Sequence, residues 1–195
     1  MIVLLTGPSG AGKSTVIRRV MAADARLAFS VSTTTRPQRP GETDGVEYDF
    51  VTTEIFRQLV SEEAFVEWAE VHGNLYGTRH RRLEELAATG KIPVLDVDVQ
   101  GGVNVIGLYG EQHLVSVFLF PPSWAGLAER LRLRGTDTEE VIERRLANAR
   151  HEVGFADRYQ YWLVNDGLDD TVQRLSAIIT AEGCRRDAYT GPPLT

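Results

Sequence analysis

Gly7-Pro8-Ser9-Gly10-Ala11-Gly12-Lys13-Ser14 fits the pattern G-x-x-x-x-G-K-[ST], and few features constrain a chain more. Glycines let backbone N–H groups curl around phosphate oxygens, and a helix that follows offers its positive end. The bare pattern arises by chance in roughly one chain of this length per hundred, so its surroundings matter. Here Ile2 to Thr6 is a short apolar run before it, as expected of a central parallel strand, and Lys13 to Ala23 reads as a helix after it. In that setting Gly7 to Thr15 is expected to hold a nucleoside triphosphate. Lys13 would reach the β- and γ-phosphates and the Ser14 hydroxyl a Mg²⁺ ion.

The rest of the chain alternates in the same manner. Expected strands are Leu27–Ser32, Ile92–Val97, Leu114–Phe120 and Tyr161–Asn165. Expected helices are Arg79–Thr89, Ser123–Leu133, Thr138–Glu152 and Leu168–Glu182, with another helix ahead of Leu114. Thr138 followed by Glu139 and Glu140 forms an N-cap with acidic first-turn residues. Thr33 to Gly45, with Pro37, Pro40, Gly41 and Gly45, reads as a loop. Beyond it, strands near Glu47–Val51 and Ala64–His72 flank a helix near Thr53–Glu62. This middle stretch lacks strand–helix alternation and is expected to be an inserted β-rich subdomain. The tail from Gly191 to Thr195 is expected to be disordered. The pattern as a whole predicts an α/β fold of three layers, with a parallel sheet and right-handed crossovers.

Composition narrows the function classes. The chain is 43% hydrophobic and 25% charged over 195 residues, which suits one globular domain. The net charge of −6 argues against general binding to nucleic acid or to anionic membranes. No apolar run approaches the ~20 residues of a membrane span, and nothing at the N-terminus reads as a signal peptide. Cys184 is the only cysteine, so an intramolecular disulfide is impossible and a reducing, cytoplasmic setting fits best. Lys13 and Lys91 are the only lysines. Basic character therefore rests on arginine, whose planar fork grips phosphate with two donors.

Leu95-Asp96-Val97-Asp98 closes one of the expected core strands. Carboxylates at such strand ends face the ligand crevice of an open α/β sheet. Asp96 is the candidate second holder of Mg²⁺, together with Ser14. The alternative for these carboxylates is to cap the helix that begins near Gln100.

Further motifs resemble one family. Ser32-Thr33-Thr34-Thr35-Arg36-Pro37, then Arg39, Gly41-Glu42, Gly45, Tyr48 and Phe50, is similar to the GMP-phosphate loop of guanylate kinases. Phe65-Val66-Glu67-Trp68, Gly73-Asn74-Leu75-Tyr76-Gly77-Thr78, Leu95 to Gly101, Pro121-Pro122-Ser123, Arg134-Gly135-Thr136 and Val164-Asn165-Asp166 follow in that family's order. The resemblance runs from about Ile2 to Ala181. It implies a P-loop NTPase fold with its core at about 1–31, 79–122 and 159–183. A GMP-binding subdomain would lie at about 32–78 and a helical lid at about 123–158. It further implies ATP-dependent phosphorylation of GMP, and of dGMP, to the diphosphate, a step of purine nucleotide metabolism. ATP and GMP would be the partners, with no obligate protein partner.

The same resemblance distributes roles. Arg36 and Arg39 would grip the GMP phosphate, with the Tyr48 and Tyr76 hydroxyls as further donors. Glu67 would accept from guanine N1–H and N2, Thr78 and Ser32 would serve O6, and Asp98 would be a second acid on the guanine side. Arg134 and Arg145 fall in the lid, with Arg144 as the neighbouring alternative to Arg145. They would join Lys13 and Arg36 in offsetting charge during transfer. Asn165 would lie near the adenine of ATP. The intact phosphate loop separates the chain from binding modules that keep this fold without catalysis. Two departures stand out: glycines at both 101 and 102, and a segment from Asp157 to Tyr161 less acidic than its usual counterpart.

Overall fold

Ile2–Thr6 is buried at every position and forms β1, the strand from which the phosphate loop emerges. It pairs in parallel with β7 (Ile92–Asp96) on one side and β8 (Leu114–Phe120) on the other, and β9 (Tyr161–Val164) extends the sheet beyond β8, again in parallel. Val3, Leu4, Leu5, Val94, Leu95, Val117, Phe118 and Leu119 are all buried. A strand apolar along its whole length must be covered on both faces, and helices do this in parallel sheets.

The computed structural model describes residues 1–71, 73–133 and 138–185. These fall into two compact units, one of residues 1–25 and 94–195 and one of residues 26–93. In the first unit α1 (Lys13–Ala23) buries Val16, Ile17 and Val20 and lies against α7 (Leu168–Gly183). The helix α4 (Val99–His113) packs on β1 and β8. The pair α5 (Trp124–Leu133) and α6 (Glu139–Val153) closes around Leu127, Leu131, Ile142 and Ala149. Thr138 caps α6 as expected, its hydroxyl oxygen accepting from the Val141 N–H. The expected joint at 134–137 and the tail at 191–195 lie outside the described residues.

The second unit holds its own four-stranded sheet in the order β4-β3-β6-β5. Its members are β3 (Ser32–Thr34), β4 (Tyr48–Phe50), β5 (Phe65–Val71) and β6 (Asn74–Arg79). Only β3 and β4 are parallel; β6 runs antiparallel to both β3 and β5. The helix α2 (Thr53–Ser61) inserts Phe56, whose ring stacks on Phe65 with centroids 4.5 Å apart. The helix α3 (His80–Ala88) follows β6 directly.

Two expectations change here. Leu27–Ser32 is not one strand. It divides into β2 (Leu27–Phe29) and β3, with Ser30 and Val31 between, because the two pieces pair with different partners. Residues 33 and 34, read as loop, belong to β3, and Asn74–Arg79 is a full strand. No helix among the described residues is long and apolar enough to cross a membrane.

Candidate active site

In the first unit the loop leaves β1 at Thr6 and enters α1 through Gly12, which has φ 98° and ψ 17°. An added Cβ at Gly12 would stand 2.4 Å from Asn165 Nδ2, so glycine is required there on two counts. The carbonyl of Gly12 accepts from the Thr15 and Val16 amides and starts the helix. Lys13 folds back so that its ammonium donates to the Gly7 carbonyl at 2.7 Å. Ser14 Oγ donates to Asp96 Oδ2 across 3.3 Å. Register brings this about: Asp96 pairs with Leu5, so the carboxyl end of β7 comes level with the end of β1. Burial pushes the Asp96 carboxyl up from its ordinary range, against the opposing pull of Lys13 and the Ser14 hydrogen bond.

Asp98 does cap a helix. One of its carboxylate oxygens accepts from the Gly101 N–H at 2.7 Å and begins α4. The resemblance had implied a place near guanine, and the cap occupies only one of the two oxygens. Asn165, expected near adenine, is buried, and its side chain braces the phosphate loop. Its Nδ2 donates to the Ala11 carbonyl at 2.7 Å, and its Oδ1 accepts from Thr171 at 3.2 Å. Arg130 completes the brace, donating to the carbonyls of Asn165 at 2.8 Å and Ala11 at 3.3 Å. Sequence reading missed Arg130, because nothing in local spacing shows a contact spanning 119 residues, and Thr171, whose hydroxyl reaches back six residues from α7 to Asn165. It also missed Glu152, whose carboxyl is raised chiefly by burial while Lys13 pulls the other way.

On α6, Arg145 is half-buried on the side that also carries Ile142 and Ala149, whereas Arg144 is exposed. Arg134 lies outside the described residues.

In the second unit, β5 and β6 set Glu67 opposite Thr78. Both are buried, and Thr78 Oγ1 donates to Glu67 Oε1 at 2.7 Å. Arg36, Tyr48 and Tyr76 gather at one end of the sheet. The Arg36 guanidinium lies 5.3 Å from the Tyr48 ring centroid and 5.6 Å from that of Phe50, and the Tyr48 and Tyr76 rings meet edge to face at 5.8 Å. Ser32 is half-buried on β3, its position paired with that of Tyr48, and Arg39 is exposed. The hydrogen bond that Arg36 donates to Glu42 raises the Arg36 pKa and lowers that of Glu42.

A parallel sheet with a strand, a glycine loop and a lysine-led helix defines a P-loop nucleotide-binding protein. The comparisons with known proteins are more specific. The guanylate kinase family model matches residues 1–182. The guanylate kinase of Zymomonas mobilis subsp. mobilis is 42% identical over 191 residues, which cover 98% of this chain and 88% of that protein. That of Oleidesulfovibrio alaskensis is 46% identical over 181 residues, 93% of this chain and 87% of the relative. The crystal structure of guanylate kinase from Anaplasma phagocytophilum matches with a TM-score of 0.79 at 34% identity, covering 98% of this chain and 90% of that one. The chain belongs to the guanylate kinase family.

Proposed function

We infer that this chain transfers the terminal phosphate of ATP directly to a phosphate oxygen of GMP, yielding ADP and GDP. The observation that carries the reading is the complete phosphate loop in a member of this family. Lys13 sits at its helix entry, and Ser14 and Asp96 meet beside it. Phosphoryl transfer asks a protein for positioning and charge neutralisation more than for covalent chemistry. A phosphate oxygen is already nucleophilic at neutral pH, so neither a phosphoenzyme nor a protein base is needed.

Lys13, Arg36, Arg134 and Arg145 would offset the charge that develops as two anions approach. The Ser14 hydroxyl and the Asp96 carboxylate form an all-oxygen pair, the donor type Mg²⁺ takes when phosphates and water complete its shell. They would hold the ion, whose contribution is charge neutralisation on the ATP phosphates. Gly7 to Thr15 would cradle those phosphates, and Asn165 would act on that loop and on the adenine side.

Arg36 and Arg39, with Tyr48 and Tyr76, would seat the GMP phosphate. Glu67 would accept from the two adjacent guanine donors, assisted by Ser32, Thr78 and Asp98. Adenine presents a bare N1 there, and a site built on hydrogen bonds can reject such an analogue by roughly 10⁴. By the same family resemblance dGMP is a proposed substrate too.

A coupled assay of ADP release tests this, with Mg·ATP against GMP, dGMP, AMP, CMP and UMP. GMP and dGMP should turn over, and the others should lag by orders of magnitude. AMP activity equal to that on GMP overturns the base assignment. Lys13→Ala should lower kcat by orders of magnitude with the fold intact, and normal turnover in that variant overturns the phosphate site.

A further inference from the structure

The segment from Arg36 to Glu42 is knotted about one carboxylate. Glu42 Oε1 accepts from Arg36 Nη2 at 2.7 Å, while Oε2 accepts from the Arg39 backbone N–H at 2.8 Å. The backbone of Glu42 is fixed as well. Its N–H donates to the Arg39 carbonyl at 3.1 Å, and its carbonyl accepts from the Gln38 side-chain amide. Arg36 is held on further sides: Nη1 donates to the Pro37 carbonyl at 2.8 Å, and its backbone N–H donates to Thr34 Oγ1. The rings of Tyr48 and Phe50 lie close to its guanidinium. The Arg36 and Glu42 side chains are only 10% and 18% exposed, so this ion pair is better shielded than an ordinary surface pair.

Such a carboxylate can do one of two things at a seat for an anion. It can imitate the anion and leave when the anion arrives, or it can stay and hold the cations in place. Departure would require Glu42 to abandon both arginines while its own amide and carbonyl remain tied to residues 38 and 39. The backbone ties favour the second job. Pro37 and Glu42 each take one donor of the Arg36 fork and Tyr76 interacts with it as well, yet five N–H groups exceed these partners and leave donors for a ligand.

We propose that Glu42 is a positioning residue for the phosphate of the acceptor nucleotide: it sets the Arg36 fork and the Arg39 backbone in one fixed orientation. This rests on the reading of Arg36 and Arg39 given above. Pre-orienting the long Arg36 side chain, and the backbone from which Arg39 projects, spares the ligand part of their ordering entropy. The effect should therefore appear in binding of the phosphorylated nucleoside and in nothing that lacks the phosphate.

The test compares Glu42→Ala, Glu42→Gln and Arg36→Ala in the full chain. It measures KM for GMP and for ATP, kcat, and the inhibition constant of guanosine, which carries the base alone. Glu42→Ala should raise KM for GMP about tenfold or more, the scale of a lost charged hydrogen bond. KM for ATP and the guanosine constant should stay within about twofold on the same reasoning. Glu42→Gln keeps one acceptor and should recover part of the loss. A Glu42→Ala enzyme with unchanged or lower KM for GMP overturns the proposal, the lower value marking a displaced stand-in. Guanosine binding weakened as much as GMP binding also overturns it, since Glu42 would then serve only the loop's fold. If Arg36→Ala raises KM for GMP while Glu42→Ala is silent, only the role of Glu42 fails. If Arg36→Ala is silent too, the phosphate seat fails and takes Glu42 with it.

Discussion

The Thr78 hydroxyl donates to Glu67 across a 2.7 Å hydrogen bond between neighbouring antiparallel strands. Both side chains are buried. The hydrogen bond fixes the direction of the Glu67 carboxylate, which in the proposed reading accepts from guanine. Thr78→Val keeps the shape and removes the donor. A buried carboxylate that loses such a partner costs about 1–3 kcal/mol. KM for GMP should rise about tenfold or more on that basis. KM for ATP should remain near the wild-type value. Equal losses for both nucleotides in steady-state kinetics would contradict a role confined to the acceptor base.

Gly12 and Asn165 are pressed together, and the pair yields a second prediction. Gly12→Ala places a Cβ 2.4 Å from Asn165 Nδ2 and forces alanine to φ 98°. The left-handed backbone alone costs about 1–2 kcal/mol, or on the order of 5 °C in Tm for a chain of this size. Moving Asn165 also breaks its bond to the Ala11 carbonyl, so ATP binding should weaken. In a double-mutant cycle, Gly12→Ala should cost less Tm in an Asn165→Ala background than in the wild type, because only the backbone part then remains. Equal losses in the two backgrounds would show that the clash is relieved some other way.

What could be read from the sequence follows from which forces are local. The runs at Ile2–Thr6, Ile92–Asp96 and Leu114–Phe120 were legible because strands covered on both faces are apolar throughout. The Thr138 cap and the phosphate loop were legible because each is a short pattern with its own chemistry. Leu27–Ser32 misled because pairing partners, and not propensity, divide it at Ser30. Asn74–Arg79 stayed hidden because Gly73 and Gly77 mark turns in a sequence. In the fold, however, Gly77 lies in the strand, where an added Cβ would meet the Phe65 ring at 2.7 Å. Candidate residues could be named from the family pattern, but their hydrogen-bond partners could not. Asn165 reaches across 154 residues to Ala11, and Arg130 across 119. The two departures also acquire partners. Gln160 accepts from the Ser116 amide at 2.8 Å, and Gly102 leaves room for Tyr159.

Glu63 gives a prediction about stability alone. It closes α2 at φ 52°, the only described non-glycine residue with positive φ. The Glu63 N–H donates to the Val60 carbonyl and the Ala64 N–H to the Leu59 carbonyl, the bond pair of a Schellman motif. Glycine is the residue that adopts this conformation without a Cβ penalty. Glu63→Gly should therefore stabilise the protein by about 0.5 kcal/mol, with kinetics unchanged, once the extra freedom of glycine in the unfolded chain is offset. A lower Tm for the variant would mean that the Glu63 side chain contributes more than its backbone strain removes.

Tyr159 links the Gly102 departure to pH. Its ring is buried against Phe118, and its hydroxyl donates to the Val99 carbonyl at 3.3 Å. Burial, with a smaller push from Asp98 and against the Thr6 hydroxyl, drives its pKa up to about 12 from an ordinary value near 10. The folded state thus favours the neutral phenol. Below about pH 10 the phenol is neutral in both states, and its contribution to stability is fully present. Between about 10 and 12 the unfolded chain ionises while the folded one resists, and the contribution drains at about 1.4 kcal/mol per pH unit. Urea unfolding of wild type and Tyr159→Phe at pH 9 and pH 11.5 isolates this residue, since other titrating groups cancel in the difference. The wild type should lose roughly 2 kcal/mol relative to the variant over that interval. Gly102→Ala, whose Cβ would stand 2.3 Å from the Tyr159 hydroxyl oxygen and 2.7 Å from Thr6 Cγ2, should be destabilised at every pH. Adding Tyr159→Phe should restore part of that loss by removing the oxygen. Parallel stability profiles for wild type and Tyr159→Phe would show that the phenol is solvated after all.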